Sequence, residues 1–259
     1  MFCRAIQDLP KTDNIFLIVN SKNKNNLNKS KLSLISNKNN FKKFLDTKTN
    51  GQATTAFLGI KEMVSKNLQT PVVISACDNG IQYDYNKYVE LINDKNIDII
   101  VWVARNYPKA VYNPEMYGWV ATDENNFVNK VICKKILKNP KTDYVIIGTF
   151  TFKNYNHYIN SYNKQINEKD TVNDEFYIDT LINHAVNLGY SVKAFEVDKY
   201  VCWGTPYELK TFLYWQECFH KWKYHKYDIN YDYNFGREDK KVFLKNLDCN
   251  FLPHNTFKT

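Results

Sequence analysis

Pairs of ligating residues are what this 259-residue sequence most conspicuously lacks. Its six cysteines (Cys3, Cys77, Cys133, Cys202, Cys218 and Cys249) are scattered, with no C-x-x-C pair among them. This argues against a zinc site or a disulfide framework and favours reduced thiols in a cytoplasmic setting. The five histidines show neither H-x-x-x-H nor H-E-x-x-H spacing, so zinc hydrolase chemistry is not expected. No run of 18 apolar residues occurs, and no membrane span is expected. Residues 1–8 carry no signal-peptide pattern. Basic residues form no stripe with interleaved aromatics outside the tail, which places nucleic acid last among partners.

What is present suits a globular chain: 44% apolar and 24% charged residues. The length allows one large domain with an appendage. The net charge of +8 is densest over residues 22–43 and after His220. Such a charge attracts nucleotides and sugar phosphates, although most of these lysines read simply as loop-solvating residues in a Lys- and Asn-rich composition.

The periodicity predicts a helix over 2–9 ended by Pro10, a buried strand over 15–19, a polar low-complexity loop over 22–40 and a short helix over 41–45. A helix ending near Lys66 follows, then a strand over 72–76, a helix over 85–93 and a strand over 97–103. This β-α alternation predicts a doubly wound, mainly parallel core. Further on come a hairpin over 117–134, a long strand over 144–152, helices over 155–166 and 176–188, and a strand over 191–197. Thr205-Pro206-Tyr207-Glu208 is a capping box with proline at the first helical position, launching a helix through Trp222. We divide the chain into one domain over 1–222 and an aromatic, basic extension over 223–259. That extension docks on the core, joins copies into a homo-oligomer or stays mobile, and the sequence does not choose.

The most informative segment is Val72-Val73-Ile74-Ser75-Ala76-Cys77-Asp78-Asn79-Gly80. A buried strand ending on one carboxylate presents it at the sheet's carboxyl edge, where open α/β sheets bind ligands. A hard oxygen donor there suits Mg²⁺ beside a nucleotide phosphate. Asp-Asn-Gly is also an ordinary turn. Five more elements keep Asp78 company: Gly51-Gln52-Ala53-Thr54-Thr55, Tyr117-Gly118, Gly148-Thr149-Phe150-Thr151-Phe152, Asn173-Asp174-Glu175-Phe176-Tyr177 and Trp203-Gly204-Thr205-Pro206.

In this order the six elements resemble the sugar-phosphate nucleotidyltransferase family, with its GT-A-like, Rossmann-like core, over roughly residues 1–220. The resemblance implies an α/β fold with a mixed, mainly parallel sheet. It also implies joining of a nucleoside triphosphate to a sugar 1-phosphate, for nucleotide-sugar supply in surface polysaccharide synthesis. Gly51 and Gln52 would then meet the base, and Asp78 would bind Mg²⁺. Gly118 and Gly148 would lie against the sugar, Glu175 would accept its hydroxyls, and Lys134 would contact its phosphate. Asp78 and Lys134 are thus the expected catalytic pair.

Each residue also has a plainer reading. The glycines can be conformational, Asp174 and Glu175 can cap a helix, Lys134 and Lys135 can face solvent, and Phe212, Trp215, Phe219 and Trp222 can form a packing face.

The departures are specific. The family opens with a strand, a G-x-G-x-R loop and a Pro-Lys pair, for which we expect no counterpart here. The missing first strand would leave the strands near Ile15 and Val72 without a shared partner, so an upstream stretch is expected. Cys202 stands where several members carry a second metal-binding aspartate, with Asp198 as the substitute, and Cys133 replaces the glutamate before Lys134. Two alternatives therefore stay open. One is a catalytically impaired relative that binds a nucleotide sugar or a partner subunit. The other is a metal-dependent glycosyltransferase with Asp78 beneath its donor. The base and the sugar are not legible.

Overall fold

The computed structural model describes residues 2–26, 39–68, 71–221, 226–233 and 236–238. Its centre is the strand Ile99–Ala104 (β5), every residue of which is buried. An Ile-Ile-Val-Trp-Val-Ala run is apolar on both faces, which is what a strand covered from both sides requires. Ile99, Val101 and Val103 point to one face, where Ala53, Ile60, Tyr158 and Leu181 pack on them. Ile100 and Trp102 point to the other, towards Tyr88 and Phe195. The helices Gln52–Ser65 (α2), Tyr155–Asn167 (α5) and Ile178–Asn187 (α6) cover the first face, and Tyr85–Asn93 (α3) covers the second.

Six strands make the main sheet. Tyr144–Phe152 (β8) runs antiparallel beside β5, whose other neighbour is the parallel strand Val192–Glu196 (β9). The second edge of β8 is shared. Val72–Ser75 (β3) pairs with Thr149–Phe152, and Gly118–Thr122 (β6) pairs with Tyr144 and Val145. Val128–Cys133 (β7) adds the hairpin partner of β6. The pairings leave β3, β5, β6 and β9 running one way, with β7 and β8 opposed. The sheet is thus mixed, as expected from the sequence: four of its six strands run the same way, and β5 and β9 form its parallel pair.

Two smaller pairs complete the strands. Asn14–Asn20 (β1) and Asn39–Leu45 (β2) pair in parallel over seven residues. Asn79–Gln82 (β4) pairs with Lys199–Cys202 (β10). Among the described residues, β1 and β3 pair neither with each other nor with a common neighbour.

The helix expected over 41–45 is a strand instead. Phe-Lys-Lys-Phe-Leu satisfies a helical period, but β1 offers a ladder, and Phe41 stacks on Phe16 at 4.7 Å. Tertiary pairing overrides a short local signal. The helix expected from residue 176 starts at Ile178. The capping box is formed: Thr205 Oγ1 accepts from the Glu208 N–H at 3.2 Å, and Glu208 Oε2 accepts from the Thr205 N–H at 3.0 Å. It opens helix Pro206–Lys221 (α7). Of the extension over 223–259, residues 226–233 and 236–238 are described, and Ile229 there is fully buried, with its N–H bonded to His220 Nδ1.

Candidate active site

The sheet is interrupted where β3 and β6 lie end to end along β8, and the interruption falls at Gly148. Its φ of +75° is open to glycine at little cost, and an added Cβ would sit 3.2 Å from Ala76 Cβ. The exposed edge of β8 is filled by the chain leaving β3. The Ala76 N–H donates to the Gly148 carbonyl at 2.9 Å, and the buried Asn79 amide donates to the Ile147 carbonyl at 2.8 Å. Asp78 lies between these two anchors, so the turn that carries it is fixed from both sides.

Asp78 faces the loop after β10. Its carbonyl accepts from the Trp203 N–H at 2.6 Å, and its Oδ2 lies 3.0 Å from where a Cβ on Gly204 would stand. Cys202 Sγ lies 3.3 Å from that same point, so thiol and carboxylate flank Gly204. Burial raises the Cys202 pKa, against bonds from the Gly204 N–H and the Tyr200 hydroxyl. The thiol is therefore protonated at neutral pH. Asp198 does not join this group. Register places Lys199 opposite Gln82 and Cys202 opposite Asn79, so Asp198 lies about 13 Å along the strand from Cys202. The expected substitute ligand is corrected: Asp198 and Asp78 cannot share an ion.

The other half of the site begins at Gly118. The carboxylate of Asp179, in the first turn of α6, fills the space where a Gly118 side chain would stand. Burial pushes the Asp179 pKa up to about 6, opposed by the nearby Lys134 ammonium. Lys134 has a left-handed φ of +58°. Its N–H bonds the Tyr117 carbonyl at 2.9 Å, and its Nζ donates to the Met116 carbonyl at 2.6 Å. The Tyr177 ring centroid lies 5.7 Å from Nζ. Lys134 is thus held in the site rather than trailing in solvent, while Cys133 beside it is buried, with its pKa raised to about 12.

Glu175 does not cap α6. Asn173 and Asp174 have φ of +50° and +61°, and Val172 and Glu175 exchange both backbone hydrogen bonds. This is a tight turn of the type I′ kind, and it presents Glu175 exposed at the site. The next residue locks the two halves together. Phe176 donates to the Asn50 carbonyl at 2.7 Å and accepts from the Ala53 N–H at 2.9 Å. Gly51 lies between these bonds at φ +117°, and an added Cβ would stand 2.5 Å from Phe176 O. Gly51-Gln52 and Glu175 therefore share one rigid backbone junction at the N-terminus of α2.

The sequence matches a family model described as nucleotidyl transferase over residues 2–217. The chain belongs to the nucleotidyl transferase family. Three solved structures share its fold. A nucleoside-diphosphate-sugar pyrophosphorylase from Vibrio cholerae RC9 is 17% identical, with a TM-score of 0.62 over 78% of this chain and 80% of that one. An inositol-1-phosphate CTP transferase from T. maritima is 16% identical, with a TM-score of 0.56 over 78% and 74%. A putative glucose-1-phosphate thymidylyltransferase from Bacillus anthracis is 19% identical, with a TM-score of 0.55 over 76% and 73%. No curated protein matches the chain significantly.

The family match begins at residue 2, and the sequence does contain a Pro-Lys pair, Pro10-Lys11, just past the helix Phe2–Gln7 (α1). Asp179 carries no motif of its own. Inside Ile-Asp-Thr-Leu it reads as an ordinary first-turn acid, and only its position over Gly118 marks it.

Proposed function

We propose that this nucleotidyl transferase joins a nucleoside triphosphate to a sugar 1-phosphate, releasing pyrophosphate, and supplies nucleotide sugar for surface polysaccharide in the cytoplasm. The observation that carries the reading is the gap at Gly148, with Asp78 on one side and Lys134 and Glu175 on the other. Gly51 and Gln52 hold the base. Glu175 accepts sugar hydroxyls, the backbones of Gly118 and Gly148 line the sugar ring, and Lys134 neutralises the attacking phosphate. Such a transfer needs positioning and charge neutralisation more than covalent help.

The family generally uses a divalent metal, and Asp78 fits Mg²⁺ through one hard carboxylate, with substrate phosphates and water as the remaining donors. Among the described residues no three His, Cys, Asp or Glu side chains converge, and Asp78 is the ligand we assign. When bound, Mg²⁺ supplies Lewis-acid neutralisation of the phosphates. Cys202 beside Asp78 favours a second reading, a catalytically impaired relative that binds without turnover.

Pyrophosphate release from each nucleoside triphosphate, paired with a panel of sugar 1-phosphates and Mg²⁺, tests the proposal. Turnover that Asp78→Ala lowers at least about 10³-fold supports it. Binding without turnover selects the impaired relative, and donor hydrolysis without pyrophosphate selects a glycosyltransferase.

A further inference from the structure

A cavity of about 570 Å³ opens along the outer edge of β7, with Lys130, Cys133, Lys134, Lys135, Thr171 and Asn173 among its walls. That volume is ordinary for a small-molecule pocket. The edge itself is partly closed by Asn183, whose amide accepts from the Val131 N–H at 2.7 Å and donates to its carbonyl at 2.8 Å. In an antiparallel ladder, outward backbone groups recur every second residue. Cys133 therefore turns its N–H and carbonyl towards the same edge, where no described partner takes them.

The three lysines are not equivalent. Lys134 is committed to the Met116 carbonyl, beside Asp179 and the Tyr177 ring. Lys130 and Lys135 form no ion pair among the described residues, whereas Lys43 pairs with Glu62 and Lys109 with Glu208. Both line this cavity and raise its potential for an anion, against Asp174 beside Asn173 and against Asp170, which is bonded to His184 at 2.9 Å. Their spacing matters as well. Lys130 precedes the end of β7 at Cys133 by three residues, about 10 Å of strand, and Lys135 follows that end. The flexible four-carbon stems of two lysines this far apart can close on one anionic group, set apart from the group that Lys134 meets.

We propose that this cavity holds a second anionic group of the sugar phosphate, a carboxylate or a further phosphate, through Lys130 and Lys135. The substrate class is then an acidic sugar 1-phosphate. This rests on the proposed reaction, in which Lys134 meets the reacting phosphate. Hydroxyl and amide groups of Thr171 and Asn173 are available for the hydroxyls between the two anions.

Calorimetric binding of glucose 1-phosphate, glucuronic acid 1-phosphate and glucose 1,6-bisphosphate tests it, using the full chain and a Lys130→Ala/Lys135→Ala variant. Both lysines are exposed, so the variant should fold, which circular dichroism verifies. We expect at least one acidic ligand to bind ten-fold or more tightly than glucose 1-phosphate, with the preference falling below two-fold in the variant. Whichever acidic ligand wins tells carboxylate from phosphate. Equal affinities in the wild type, a preference that survives the double substitution, or no binding of any of the three overturns the proposal. Nucleoside triphosphate binding, measured in parallel, should be unchanged by the variant; its absence from the wild type would instead count against the proposed reaction.

Discussion

At the Asp78 end of the site, one carboxylate meets a protonated thiol across Gly204. At the Lys134 end, a half-buried carboxyl fills the space over Gly118, with a lysine, a tyrosine ring and a glutamate nearby within a framework of backbone hydrogen bonds. A phosphate site needs little from the protein when the substrate and a metal ion bring most of the oxygen ligands and charge. A sugar site has no such help, because hydroxyls must be matched one by one by fixed donors and acceptors. On this view the sparse end depends on one side chain, and the crowded end spreads its work over several.

The largest test of that contrast is Asp78→Ala, expected to lower kcat/KM for pyrophosphate release by at least about 10³-fold while leaving the melting temperature within about 2 °C. Lys134→Ala should cost less, on the order of 10²-fold, mostly as a raised KM for the sugar phosphate. Equal losses at the two positions would erase the distinction. Gly51→Ala probes the junction that joins the ends. The left-handed φ and the collision with Phe176 should lower stability by at least about 3 kcal/mol in chemical denaturation, since neither backbone can yield without breaking the bonds around it. A well-folded Gly51→Ala protein with normal stability would contradict the described junction.

Much of this was legible in the sequence where the chain carries its own instructions. The β5 run, the capping box at Thr205 and the long strand through Gly148 follow from period, cap and composition, and the structure has them at nearly the expected residues. Strand β2 was not legible, because Phe41-Lys42-Lys43-Phe44-Leu45 takes its conformation from β1 across the ladder. The same cause hid half the site. Asp179 matters through Gly118, more than sixty residues earlier, and the cavity lysines matter through a loop on another element. The resemblance pointed to Asp78, Lys134 and Glu175, but the distance to Asp198 depends on the pairing of β4 with β10, which no spacing in the sequence encodes.

Asp179 gives the next effect in size. Its carboxyl titrates near pH 6 in the folded chain, against about 4 when unfolded. Between those values the folded form keeps a proton that the unfolded form has released. The contribution of Asp179 to stability is therefore most favourable below about pH 4, falls as pH rises towards 6, and levels off above it. Asp179→Asn should flatten that slope and leave the variant more stable above pH 6 by on the order of 1 kcal/mol. Thermal melts from pH 4.5 to 8 measure it, and parallel curves for the two proteins would show that Asp179 does not titrate there.

The smallest and most specific change is Cys202→Asp. It places a second hard ligand beside Asp78 while leaving the crowded end untouched. If the sparse end is limited by its single carboxylate, the variant should require several-fold less Mg²⁺ for half-maximal activity, with little change in KM for the sugar phosphate. Cost is expected too, because two like charges about Gly204 repel each other until the ion arrives, so the metal-free variant should melt slightly below the wild type and regain stability on Mg²⁺ addition. An unchanged Mg²⁺ requirement would mean that Cys202, though it flanks Gly204 with Asp78, lies outside the metal's reach, and that substrate oxygens already complete the coordination that Asp78 begins.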